Sequence, residues 1–269
     1  MRHTFSTMGT VASLELADAA AGVIPAVEAV FHEYDARFSL YRPDSELSRI
    51  ASGSLRLGEA SQWMLDTYAD ALSWREQTSG AFTPHRPDGV IDLNGIVKAQ
   101  AIRDAGRVLA ATSAERWSLN VGGDVLVDES ASTESWTIGI VDPLDRRRLL
   151  TALDLGGHRR AAATSGTSER GDHIWHALFR DRPDFVQVTV IADDIVTADV
   201  LATAIIAGGR RTLDTLSDIW DIDVLAVCPS GELLATPRLS PQFGLGVAMV
   251  NDCRESAECR ELTSPATYR

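Results

Sequence analysis

The feature that most constrains the fold is the stretch RWSLNVGGDVLVDE, residues 116–129, which reads as two short strands around Gly122-Gly123. Strands joined so briefly must run antiparallel, because a parallel crossover needs a dozen residues or more. The runs SWTIGIVDP, FVQVTVIAD, DIDVLAVCP and FGLGVAMVND read as further strands, and TVASLEL (10–16) alternates apolar with polar. Helical spacing appears in GVIPAVEAVFHEYDARFS (22–39), in the segment 59–82 stopped at Gly80, and in GIVKAQAIRDAGRVLAA (95–111). YRPDSEL (41–47) reads as a turn, with Pro43 and Asp44 supplying the chemistry. VTADVLATAIIAGG (196–209) reads as a helix capped by Thr197 and ended by Gly208-Gly209. Helices interleave with strands, yet several strands follow one another directly. That order predicts an α+β fold, an antiparallel sheet with packed helices, rather than a doubly wound parallel one. No repeat or linker divides the chain, so residues 1–250 are expected to form one domain and 251–269 a flexible tail.

Charge narrows the partners. A net charge of −13 argues against nucleic acid, which needs basic stripes. An anionic ligand would need a local positive device: a metal, a helix N-terminus or a placed cation. The first twenty residues hold no apolar stretch of signal-peptide length, and no run of about 18 apolar residues occurs anywhere. A cytoplasmic protein with no membrane partner is expected. Cys228 ends an apolar run and reads as core. Cys253 and Cys259 lie in the tail at a spacing that matches no zinc pattern.

Four stretches could carry chemistry. In TADVLATA, Asp199 and Thr203 stand four apart and share one helix face. Carboxylate and hydroxyl are hard oxygen donors suited to Mg²⁺; equally, Thr203 could back-bond to its own helix and Asp199 could serve the first turn. In DLNGIVK, Asp92 ends a strand-like run, Gly95 opens a helix and Lys98 sits about one turn in. Such a junction offers amides and a dipole to an anion. Lys98 is the only lysine; the other 24 of the 25 basic residues are arginine. It is either a chance survivor on an exposed helix or a compact ammonium in a place a guanidinium cannot fill. In TSGTSERGDHIWH, residues 164–168 read as a hydroxyl-rich turn. His173 could be a general base, His173 and His176 a partial metal pair, or both part of a polar loop. Gly122-Gly123 permits a tight bend or a close ligand approach.

Taken in order, MGT (8–10), FSLYRPDSELSRI (38–50), GAF (80–82), DLNGIVK (92–98), NVGGD (120–124), TSG (164–166) with HI (173–174), and VIADDIVTADVLATA (190–204) resemble the ApbE family, the FAD:protein FMN transferases. The resemblance runs through nearly the whole chain. It implies a T-fold-like α+β architecture and a Mg²⁺-dependent transfer of FMN from FAD to a Ser or Thr of an acceptor flavoprotein, with release of AMP. Some members of the family instead hydrolyse FAD to FMN and AMP. By motif, Asp199, Thr203 and the Gly95 carbonyl fall on the family's metal ligands. Met8, Tyr41, Ala81, Phe82, Thr83, Asp92 and Lys98 fall on FAD-holding positions, with Lys98 also placed at the reacting phosphate. His173 falls on the residue that activates the acceptor hydroxyl. The chain departs from the pattern at HIWHALFRDRP, where the family's Asp-Pro and Thr-Gly are absent, at Thr83 in place of Asp, and at NGIVKA in place of GGIAKG. Most of these losses sit on the acceptor side. Hydrolysis by an FAD pyrophosphatase, or FAD binding without turnover, therefore stands beside transfer as an expectation.

Overall fold

In a computed structural model, the described residues are 1–112, 116–128, 135–166, 183–239 and 247–250. Among them, nine strands form one sheet in the order β1 (Arg2–Thr7), β2 (Thr10–Leu16), β3 (Trp117–Val121), β4 (Asp124–Val127), β7 (Ala161–Gly166), β8 (Gln187–Ala192), β9 (Asp223–Val227), β10 (Leu233–Ala235) and β11 (Val247–Met249). Neighbours pair antiparallel except β10 with β11. A separate antiparallel hairpin joins β5 (Trp136–Val141) to β6 (Leu149–Leu155). The helices are α1 (Ile24–Phe38), α2 (Glu46–Ala51), α3 (Gln62–Gln77), α4 (Asn94–Ala110), α5 (Ile195–Gly208) and α6 (Arg210–Ile219). The expected α+β class with an antiparallel sheet is what forms.

The two faces of the sheet are covered differently. On one, Leu119, Leu126, Ala161, Ala163, Val188 and Val190 pack with the buried sides of α1, α4 and α5. On the other, Val125, Val127, Ala162 and Ile191 meet Ile140, Leu153 and Leu155 of the β5–β6 hairpin. Side chains alternate between faces along a strand. Asp124 therefore shares the helix-covered face with Leu126, and Ser165 shares it with Ala163. Strands β8 and β9 are buried at every position, as covering on both sides demands.

Two glycines let helix α4 settle close to its neighbours. A Cβ on Gly106 would lie 2.7 Å from Leu126 Cδ2 and 3.3 Å from Trp117. A Cβ on Gly95 would lie 2.8 Å from the Phe82 ring. The Gly106 contacts seat α4 over β3 and β4, and the Gly95 contact seats its start against the segment after α3. Helix α5 is apolar nearly all round, with most of its residues buried, and so takes the central place beneath the sheet.

Several local expectations change. The cap of α5 is Asp194, whose carboxylate accepts from the amides of Val196 and Thr197; Thr197 lies inside the helix. Ile195 and Val196 are buried, and their packing draws the helix start upstream. Thr164, Ser165 and Gly166 end strand β7 and do not form a turn, because β4 and β8 supply ladder partners on both sides. Within YRPDSEL, Ser45 caps the short helix α2 by accepting from the Ser48 amide. Strands β1, β6, β7 and β10 and helix α6 add to the elements legible in the sequence. Cys228 is buried, as expected. Residues 251–269, with Cys253 and Cys259, lie outside the described residues. No helix among the described residues is long and apolar enough to cross a membrane.

Candidate active site

Hairpin turns at Met8-Gly9 and Gly122-Gly123 fall at the same end of the sheet, since β2 and β3 pair with Ala12 opposite Val121. Both turns carry two consecutive residues with positive φ, the signature of a tight two-residue hairpin. Met8 adopts φ +46° without being glycine, which costs energy that surrounding packing must hold. The Gly122 amide donates to the Val11 carbonyl at 3.2 Å and ties the two tips together.

Against these tips lies a cavity of about 670 Å³, within the range of ligand pockets. Met8, Gly9, Thr10 and Gly122 wall one side. The segment after α1 contributes Ser39, Tyr41 and Arg42, and the segment after α3 contributes Ala81, Phe82 and Thr83. Asp92, Asn94, Gly95 and Lys98 come from the start of α4, and Thr203 and Ala207 from α5. Met8, Tyr41, Ala81, Phe82, Thr83, Asp92, Gly95, Lys98 and Thr203, separated by up to 195 positions in the chain, thus line one space. Tyr41 stands exposed at the mouth, while Phe82 is buried against Gly95. Asp92 receives the Asn94 amide on its carboxylate at 2.9 Å and so holds the first turn of α4.

Under this cavity the charged groups converge. Lys98 forms an ion pair with Asp124 and stands 3.9 Å from Asp199. Both carboxylates are fully buried, and the lysine side chain is 13 % exposed. Asp199 therefore sits below the cavity wall and reaches it through Lys98 and through Thr203 one helical turn on. Thr203 Oγ1 and Ser165 Oγ share a hydrogen bond of 3.2 Å. Asp124 also accepts the Thr164 amide at 3.2 Å. These three ionic groups formally sum to one negative charge, and the cavity lining adds Arg42 and the α4 N-terminus on one side and Asp35 and Asp92 on the other. Arg42 is shared with Asp35 and Asp44, at 3.6 and 3.3 Å. The positive groups that an anionic ligand would meet here are Lys98, Arg42 and the α4 N-terminus, each with a carboxylate beside it.

His173 and His176 lie outside the described residues. Two groups at the site were not singled out from the sequence. Asp124 opens a strand whose four residues are all buried, and a carboxylate in such a strand demands a partner; that is the signal for it. Arg42 lies inside the stretch read as a turn, where nothing local marks it.

The fold and cavity define a class: an α+β protein with a groove between hairpin tips and helix starts. The ApbE family model matches residues 8–86 and 84–225, and this chain belongs to the ApbE family. No curated protein matches the chain in sequence. Among solved structures, the ApbE protein of Thermotoga maritima is similar at 19 % identity and TM-score 0.75, over 90 % of this chain and 98 % of that one. Flavin transferase ApbE from Vibrio cholerae is 22 % identical, with TM-score 0.69, over 90 % of this chain and 99 % of its own. The apo flavinyl transferase ApbE of Pseudomonas stutzeri is 19 % identical, with TM-score 0.71, over 92 % and 97 %.

Proposed function

We propose that this protein is a Mg²⁺-dependent FAD:protein FMN transferase, which flavinylates a Ser or Thr of an acceptor flavoprotein and releases AMP. The observation that carries the reading is one cavity lined by Met8, Tyr41, Ala81, Phe82, Thr83, Asp92 and Lys98, the positions that the resemblance matches to FAD, beside the Lys98–Asp124–Asp199 cluster. Solved relatives named as flavin transferases share the fold.

Among the described residues, no three His, Cys, Asp or Glu side chains converge to hold a metal ion. A cation here would rest on mixed hard oxygens: the Asp199 carboxylate, the Thr203 hydroxyl, the Gly95 carbonyl and water. That set fits Mg²⁺, which keeps several waters and uses one or two carboxylates. Gly95 can serve even inside a helix, because a carbonyl has two lone pairs. When bound, the cation supplies charge neutralisation to the phosphate oxygens and the leaving group.

The chain's own residues do the rest. The α4 N-terminus and Lys98 bind and orient the pyrophosphate, the lysine as a point charge at the reacting phosphate. Tyr41, Ala81, Phe82, Thr83 and Met8 hold the flavin nucleotide in the cavity, and Asp92 fixes the turn that presents Gly95. His173 takes the proton from the acceptor hydroxyl. The hydroxyl oxygen forms its bond to the FMN-side phosphorus while the bond from that phosphorus to the bridging oxygen breaks, and the bridging oxygen departs with AMP. Water in place of the hydroxyl gives FMN and AMP. The missing Asp-Pro and Thr-Gly near His173 favour hydrolysis as the second reading.

Product analysis separates them. Incubation with FAD, Mg²⁺ and an acceptor domain should give AMP and a fluorescent adduct that survives denaturation. Free FMN with AMP and no adduct would mean a pyrophosphatase. Tight FAD binding with neither product would mean a binding protein.

A further inference from the structure

Lys98, Asp124 and Asp199 come from three elements: α4, β4 and α5. The ammonium contacts Asp124 and stands 3.9 Å from Asp199. Both carboxylates are fully buried, so the interaction of either with a cation is strong. An ammonium that settled on Asp199 would occupy the place of any other cation there.

Asp124 offers the ammonium a second anchor. It follows the Gly122-Gly123 turn directly and pairs across it with Val121. The Thr164 amide holds its Oδ1 at 3.2 Å, so the sheet sets the direction of the carboxylate, whatever the lysine does. Strand alternation aims it at the helix-covered face, where α4 lies. Lys98, by contrast, reaches it on a flexible four-carbon stem. Of the two partners, Asp124 is the fixed one.

We propose that Asp124 is a positioning residue: it holds the Lys98 ammonium on the β4 side and so leaves Asp199 to a divalent cation. This rests on the reading of Asp199 and Thr203 as cation ligands. Without the charge on Asp124, the ammonium moves to Asp199 and competes with the metal.

The test is Mn²⁺ binding to the full chain without FAD, followed by calorimetry and by the paramagnetic resonance of free Mn²⁺. Asp124→Asn keeps an oxygen for the Thr164 amide and removes the charge. It should weaken Mn²⁺ by about tenfold or more, the scale set by a close unit charge in a poorly solvated site. Lys98→Met should bind Mn²⁺ at least as tightly as wild type. The double variant should recover to within about threefold of Lys98→Met, a coupling that a double-mutant cycle reads directly. If Asp124 were itself a ligand, the double variant would stay as weak as Asp124→Asn, and the proposal would be overturned. Wild-type affinity in Asp124→Asn would overturn it as well. If Asp124→Asn does not fold, Asp124→Ser takes its place in the same cycle, and a double variant with Lys98→Met that stays as weak as Asp124→Ser overturns the proposal. Wild-type protein that binds no Mn²⁺ would bring down the cation reading, and this inference with it; the variant outcomes bring down this inference alone.

Discussion

Two ion clusters in this protein hold a cation of similar burial, and they are built for different ends. Arg159, its side chain 11 % exposed, donates from Nε to Asp223 at 3.0 Å and from Nη2 to Asp221 at 2.7 Å, while Nη1 donates to the Asp221 carbonyl. Arg238 adds a second bond to Asp221 at 2.7 Å. Those four side chains sum to zero charge, and the hydrogen bonds of Arg159 and then Arg238 hold the Asp221 carboxyl below its usual range. All three nitrogens of a planar fork are engaged there, with β9 tied to the turn before β7. Lys98 instead places one point charge between two fully buried carboxylates, which leaves the group one charge negative, beside a cavity. The first arrangement is complete as folded. The second keeps an uncompensated formal charge, and it is there that the proposed cation would bind.

The largest effect is expected from Asp199→Ala. Turnover of FAD should fall by at least about 10²-fold and lose its response to Mg²⁺. A wild-type Mg²⁺ titration in this variant would remove Asp199 from the site. Exchanging the two cation types sharpens the contrast. Lys98→Arg keeps the charge, so melting should move by only a few degrees, while kcat drops by about tenfold or more because a guanidinium does not fit the same space. Unchanged turnover would erase the distinction. Arg159→Lys should do the reverse. Loss of the fork should cost about 1–2 kcal/mol in denaturant unfolding, with kcat per folded molecule unaltered; a fall in kcat would mean the two clusters are coupled.

The smallest effect tests whether the rule extends to a third cluster. Glu46 joins α2 to the cap of α3, accepting from the Ser61 amide and hydroxyl and from Arg37. Burial alone pushes the Glu46 carboxyl up, yet these bonds outweigh it and hold it below the usual range. A lowered folded pKa stabilises the protein at higher pH, and that contribution fades as pH falls through the lowered value. The stability gap between wild type and Glu46→Gln should therefore be about 1 kcal/mol near neutral pH and should narrow below pH ~4. A gap that stays constant with pH would show that Glu46 acts through packing.

Much of this fold is legible in the chain. Gly122-Gly123 between apolar runs announces a tight hairpin, and φ is positive at both positions. Helices α1, α3, α4 and α5 follow the apolar spacing to within a few residues. What local pattern misreads is also instructive. Thr164, Ser165 and Gly166 are turn-formers by their own chemistry, yet they pair as strand because neighbours lie on both sides. Thr197 is a good cap by type, but the helix begins earlier because Ile195 and Val196 find a core to enter.

The candidate site divides the same way. By itself, the sequence determined the residue types and their local faces: one lysine a turn into a helix, Asp199 and Thr203 on one side of another, and Asp92 ahead of a helix start. Only the tertiary structure decided that Lys98 meets Asp124, 26 positions on, and Asp199, 101 positions on. Periodicity says which way a side chain points along its own element. It does not say which element lies opposite, and that was set by strand order and by the close seating of α4 at Gly95 and Gly106.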